Sequence, residues 1–149
     1  MVVANHHHAL DPFYITCSFR WRELIHLLPF AIMTANKFMD PWWIRLPAWL
    51  GGCFPSHGPK PIHGVTGAIK FLKAGYTVLM FPEGKRTSAG KKGVAKPGIS
   101  HIINASPEAH IILAHIEWQK PPRFASVSFA HTVITKNNPS EILESIYKL

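Results

Sequence analysis

Short apolar runs that stop abruptly at polar loops are what most constrain this chain. Residues 1–4 are wholly apolar and end at Asn5, residues 76–81 run into Pro82-Glu83-Gly84, and residues 109–116 are apolar apart from His110 and His115. A strand wet on one face alternates apolar and polar residues. Unbroken runs suit strands buried on both faces, as in a parallel sheet covered by helices.

Helical signals fall between these runs. Asp11-Pro12 reads as a helix start, because Asp can cap free N–H groups and Pro fits the first helical position, which predicts a helix over 12–22. Residues 30–34 read as a core strand. Val65, Ile69 and Leu72 lie at helical spacing within 62–73, with Gly75 placed to stop that helix. A helix over 99–104 and one or two strands over 124–134 follow. Asn138-Pro139 with Glu141 then opens a last helix ending near Tyr147. The alternation predicts an α/β fold with a mostly parallel central sheet flanked by helices, as one domain over 1–149. In such sheets ligands gather at the carboxyl ends of strands, where the loops after Ala4 and Phe81 both fall.

Charge narrows the partners. Sixteen Lys and Arg against eight Asp and Glu give +8, which favours nucleic acid, phosphorylated metabolites or acidic lipid headgroups. The most basic stretch follows Phe81 and holds Lys85, Arg86, Lys91, Lys92 and Lys96. Residues 24–54 are apolar but broken by Pro29, Pro41 and Pro47, too interrupted to span a bilayer. With Trp42, Trp43 and Trp49, they read either as a strand with a buried short helix or as an aromatic surface at a membrane interface. Cys17 and Cys53 have neither metal-ligand spacing nor the number for a disulfide framework, which fits a reducing cytoplasm.

Two segments could carry chemistry. His6 and Asp11 would lie about 140° apart on a continuous helix, so cooperation between them requires a strand-to-helix turn. Paired there, Asp11 would orient His6 as a general base. Asp11 could instead only cap the helix, or His6, His8 and Asp11 could bind a metal, although alternate residues on such a turn diverge. In Phe81-Pro82-Glu83-Gly84-Lys85-Arg86, Gly84 permits a tight backbone and the two cations can bind phosphate. Glu83 could neutralise or orient the loop, or bind a substrate hydroxyl. A solvated basic loop is the plainer alternative.

Asn5-His6 with Asp11, followed some 75 residues later by the Phe81–Arg86 segment, resembles the glycerolipid acyltransferases of the lysophosphatidic acid and glycerol-3-phosphate acyltransferase superfamily. The likeness covers 2–116 and includes a Gly-x-x-Phe match at Gly51 and Phe54 and a Lys91-Lys92-Gly93 turn. It implies that His6 is the base acting on the acceptor hydroxyl, that Asp11 orients it, and that the acyl donor is a thioester. Glu83, Gly84, Lys85 and Arg86 would hold the acceptor, with Gly51, Phe54 and His57 forming the middle motif. Three positions depart from the family pattern. His57 stands where the family has Arg, Lys85 where it often has Thr, and a Pro expected within 111–113 is absent.

The resemblance implies acyl transfer from acyl-CoA or acyl carrier protein to a lysophospholipid or glycerol-phosphate acceptor, forming phosphatidic acid from 1-acylglycerol-3-phosphate. No cofactor, metal or nucleic acid is expected, and the setting is peripheral at the cytoplasmic face of an anionic membrane. Family members commonly carry an N-terminal helical anchor, whereas this sequence opens at the motif strand. The expectation is therefore a truncated form, or membrane contact through the aromatic stretch and basic loop. Two alternatives come from other classes. One is a non-catalytic basic module binding anionic lipid or nucleic acid through Lys85 to Lys96, and the other is a metal-dependent hydrolase using the histidines.

Overall fold

The computed structural model describes residues 1–35, 42–56, 63–88, 91–120, 124–132 and 138–149. Its strands are β1 Val2–Ala4, β2 Phe30–Thr34, β3 Cys53–Pro55, β4 Thr77–Met80, β5 Ile111–Lys120 and β6 Phe124–Thr132. Its helices are α1 Asp11–Cys17, α2 Trp21–Leu27, α3 Trp42–Leu50, α4 His63–Lys73, α5 Gly98–Ala105 and α6 Pro139–Ile146. The strands form one sheet in the order β3-β2-β4-β1-β5-β6, parallel throughout except for the antiparallel β5–β6 pair. This is the mostly parallel α/β sheet that the buried runs predict.

Strand β1 lies inside the sheet, with Val3 opposite Met80 of β4 on one side and Leu113 of β5 on the other. Its alternate residues enter two different cores, as a strand covered on both faces requires. Val3 joins Val78, Met80 and Leu113 under α4, α5 and α6, through Ala68, Ile102 and Ile146. Val2 and Ala4 join Leu79, Ala114 and Ile116 under Ile15 and Phe19.

Some elements differ from the sequence reading. The helix expected over 12–22 is two helices. Ser18 ends α1 by donating its N–H to Tyr14 and Ile15 carbonyls, and Phe19 turns inward to stack on Phe129 at 4.3 Å. Burying Phe19 diverts the chain, and α2 restarts where Glu23 accepts the Arg20 N–H at 3.1 Å. The edge strand β3 is only three residues long and ends in Pro55, a weak signal in sequence. Strand β5 runs past residue 116 because β6 pairs with it as far as Trp118 and beyond.

The stop at Gly75 is as expected: Gly75 N–H bonds to Leu72 and Tyr76 N–H to Phe71, closing α4 in a Schellman pattern. At the last helix, Asn138 accepts the Ser140 N–H at 3.1 Å. Cys17 and Cys53 are free thiols. Among the described residues, no helix is long and apolar enough to cross a membrane.

Where β1 ends, a side chain continues its ladder. Asn5 is fully buried; its Nδ2 donates to the Ile116 carbonyl at 2.9 Å and its Oδ1 accepts the Ile116 N–H at 2.7 Å. The amide imitates a peptide unit, so β5 stays paired while the main chain turns away. Asn5→Ala strands two buried backbone groups and should lower stability by about 2–4 kcal/mol, read from urea unfolding. An unchanged midpoint would show that Ile116 finds other partners.

Candidate active site

Because β1 and β4 are parallel neighbours, the loops that follow them emerge side by side at the carboxyl end of the sheet. One carries residues 5–8 and the other 81–88. Their proximity follows from strand order rather than from sequence distance.

Asp11 is the first residue of α1 and is fully buried. The sequence lets it cap α1 or orient His6; its carboxylate turns back toward the preceding loop and makes no cap bond to the helix. Oδ2 accepts from the His7 N–H at 2.7 Å, the His8 N–H at 2.8 Å and His6 Nδ1 at 2.8 Å. Oδ1 accepts from Trp118 Nε1 at 2.7 Å. Burial pushes the Asp11 carboxyl up, but the hydrogen bonds from His6, His8, Trp118 and His7 outweigh it and hold the group below its ordinary value. The carboxylate is therefore ionised, and an ionised carboxylate can only accept.

That fixes the tautomer of His6. Its proton sits on Nδ1, which leaves the Nε2 lone pair available, and Nε2 has no hydrogen bond among the described residues. The ring is 19% exposed and stacks on Phe81, with centroids 4.1 Å apart. The carboxylate sets the orientation of the imidazole and Phe81 supports its face.

A second set of bonds joins the two loops. Thr87 N–H donates to the His6 carbonyl at 2.8 Å and Thr87 Oγ1 to the same oxygen at 3.1 Å. His7 Nδ1 donates to the Thr87 carbonyl at 3.0 Å. Arg86 precedes Thr87 and so leaves the chain beside the His6 backbone. Gly84 has φ +63°, a conformation that favours glycine, and the Lys96 side chain passes over it. Lys96 is tied to the same turn, its N–H donating to the Pro82 carbonyl at 2.8 Å. Lys85, Arg86 and Lys96 are exposed, and no carboxylate pairs with them among the described residues.

The metal reading fares differently. The His8 ring tilts over Trp118 at 4.9 Å, while both Asp11 oxygens are occupied by N–H donors. Among the described residues, no three His, Cys, Asp or Glu side chains are placed to share a metal ion.

A family model described as Acyltransferase matches residues 1–116. The chain belongs to this family. Comparisons with curated proteins and with solved structures find no match. The matched span contains both loops, the His6–Asp11 pair, and Trp118's strand up to residue 116.

The residues that the resemblance assigns to a middle motif lie elsewhere in the fold. Gly51 sits in the turn after α3, and Phe54 lies on β3 with its ring 4.9 Å from Phe71 in the core. Strand β3 is three places from β1, roughly 14 Å at the usual strand spacing, so these two residues are not part of the His6 cluster. His57 lies outside the described residues.

Glu83 is buried rather than presented to solvent, at 1% exposure. Its Oε1 accepts from the Tyr147 hydroxyl at 2.8 Å, while Oε2 packs against Gly93, where a Cβ would collide with it. Oε2 has no hydrogen bond among the described residues. Tyr147, just after α6, also places its ring under Lys92 Nζ at 5.5 Å. The acyltransferase loop is thus anchored from beyond the family-matched span. The sequence singled out Glu83, Asp11 and His6 but gave no signal for their partners Tyr147, Trp118 and Thr87.

Burial, followed by the Glu83 carboxylate, pushes the Tyr147 hydroxyl up to about 12. Raised above its ordinary value of 10.0, the protonated hydroxyl contributes stability fully below that value and loses it as pH rises toward about 12. Tyr147→Phe removes this partly buried, partly screened bond and should lower stability by about 0.5–1.5 kcal/mol at neutral pH. Thermal melts of the two proteins should converge across that alkaline window, and a gap independent of pH would contradict the bond.

Proposed function

We propose that this acyltransferase moves a fatty acyl chain from a thioester, acyl-CoA or acyl carrier protein, to the free hydroxyl of a lysophospholipid. The acceptor that fits best is 1-acylglycerol-3-phosphate, with phosphatidic acid as product. The observation that carries the reading is the buried Asp11 carboxylate holding His6 Nδ1 at 2.8 Å, with exposed cations on the adjoining loop.

In this reading the acceptor hydroxyl attacks the thioester carbonyl while His6 Nε2 takes its proton. Asp11 keeps the imidazole in the required tautomer and stabilises the imidazolium. The tetrahedral oxyanion collapses, the C–S bond breaks, and the departing thiolate recovers the proton from His6. The products are an ester and a thiol, with no redox change. The thioester is a co-substrate, and no cofactor takes part.

Arg86, Lys85 and Lys96 supply charge-assisted hydrogen bonds to the acceptor phosphate, with the Gly84 turn keeping the backbone low beneath it. With His57 in place of the family's Arg, the phosphate contact falls chiefly to this loop. Glu83 contributes by holding the loop from below.

Incubation with mixed acyl-CoAs and a panel of lysolipids and glycerol 3-phosphate, read by mass spectrometry of the products, tests donor, acceptor and reaction class together. His6→Ala should cut transfer by about 10²–10⁴-fold while the circular dichroism stays unchanged. Near-normal turnover in that variant would overturn the role of His6. Salt-sensitive lipid binding without thiol release would point to a non-catalytic module.

A further inference from the structure

Helix α2 buries none of its residues, and Trp21, Ile25 and Leu28 stand at i, i+4 and i+7 with 72%, 50% and 54% exposure. Helix α3 buries only Ala48. Its Trp42, Trp43, Leu46, Trp49 and Leu50 are each at least 62% exposed. Large apolar side chains scattered singly over a surface are ordinary; a contiguous set marks an interaction site.

The two sets approach each other at one cleft, which Leu28 of the first and Trp49 and Leu50 of the second both line. Leu24 and Leu28, Trp49 and Leu50, and Thr16 and Cys17 from the end of α1 line a groove of about 620 Å³. Along α1, Leu10, Phe13 and Cys17 are exposed at i, i+3 and i+7, neighbours on one helix face. This strip runs from the groove back to the end of the helix that begins with Asp11, about 10 Å away at the helical rise.

Charge selects the occupant. Between residues 12 and 82 the sequence carries Arg20, Arg22, Lys37, Arg45, Lys60, Lys70 and Lys73 against Glu23 and Asp40. The Glu23 carboxylate is turned onto the Arg20 N–H, while Arg20, Arg22 and Arg45 are exposed on the helices themselves. A second copy of the chain would bring these cations against one another. An anionic surface with an apolar interior satisfies both features, and tryptophan favours the boundary between them.

We infer that α2, α3 and the exposed strip of α1 form a docking face that lies in the interfacial layer of an anionic lipid bilayer. Trp42, Trp43 and Trp49 enter at headgroup depth, and Arg20, Arg22 and Arg45 meet lipid phosphates. The inference rests on the glycerolipid reading only for its purpose: docked in this way, α1 leads from the bilayer toward His6, where a lysolipid acceptor is needed.

The test is flotation of the full chain with vesicles of diether phosphatidylcholine, with or without diether phosphatidylglycerol, and with no lysolipid or thioester present. The protein should float with the anionic vesicles with blue-shifted tryptophan emission. Trp43→Ser/Trp49→Ser should bind about tenfold or more weakly, with an unchanged thermal melt because both side chains are exposed. Equal binding by the double variant, no binding by the wild type, or a wild-type dimer that the variant dissociates would overturn the docking face. Transfer to a dissolved short-chain lysophosphatidate is assayed in parallel. Docking without transfer counts against the acyltransfer reading alone, and transfer without docking counts against the docking face alone.

Discussion

A buried carboxylate cannot remain ionised without donors, and the carboxyl end of the sheet is arranged around meeting that need for Asp11. Desolvating a carboxylate costs several kcal/mol even in a relaxed protein interior. Four N–H groups offset the cost, three from the 6–8 loop and one from Trp118. Each has a structural consequence. The loop must curl so that the His7 and His8 N–H groups converge on one oxygen. Strand β5 must run far enough past β1 for Trp118 to reach the other. His6 must present Nδ1, which leaves Nε2 for chemistry.

The sheet makes this arrangement possible. Asn5 replaces the next peptide unit of β1, so the main chain can leave the ladder without unpairing Ile116. Strand β4, the other neighbour of β1, delivers Phe81 to the face of His6 and Thr87 to its carbonyl. Tyr147 then fixes the same loop through Glu83 from the far end of the chain. His6, Asp11 and the cationic loop thus share one support, whereas Leu28, Trp49 and Leu50 line a separate apolar groove.

Much of this was legible in the sequence where the signal was local. Unbroken apolar runs at β1 and β4 specified buried strands, and the Asn5–Asp11 and Phe81–Arg86 segments carried enough pattern to suggest their chemistry. What escaped was set by long-range register. Trp118 meets Asp11 across 107 residues and Asn5 meets Ile116 across 111, and no spacing rule links such positions. Asp-Pro left Asp11 a choice between capping and pairing with His6, and the His7 and His8 N–H groups that draw its carboxylate toward the loop had no signal in sequence. The break in 12–22 escaped because it depends on Phe19 finding Phe129. The tryptophan stretch allowed both a buried helix and an exposed aromatic surface, and the exposure of α3 excludes the buried one.

The most direct measurement of whether Asp11 governs His6 is ¹⁵N NMR of the His6 imidazole in its neutral form. The account predicts a protonated Nδ1 and a bare Nε2, with that preference lost in Asp11→Asn. A His6 ring protonated at Nε2, or one whose tautomer is indifferent to Asp11→Asn, would contradict it.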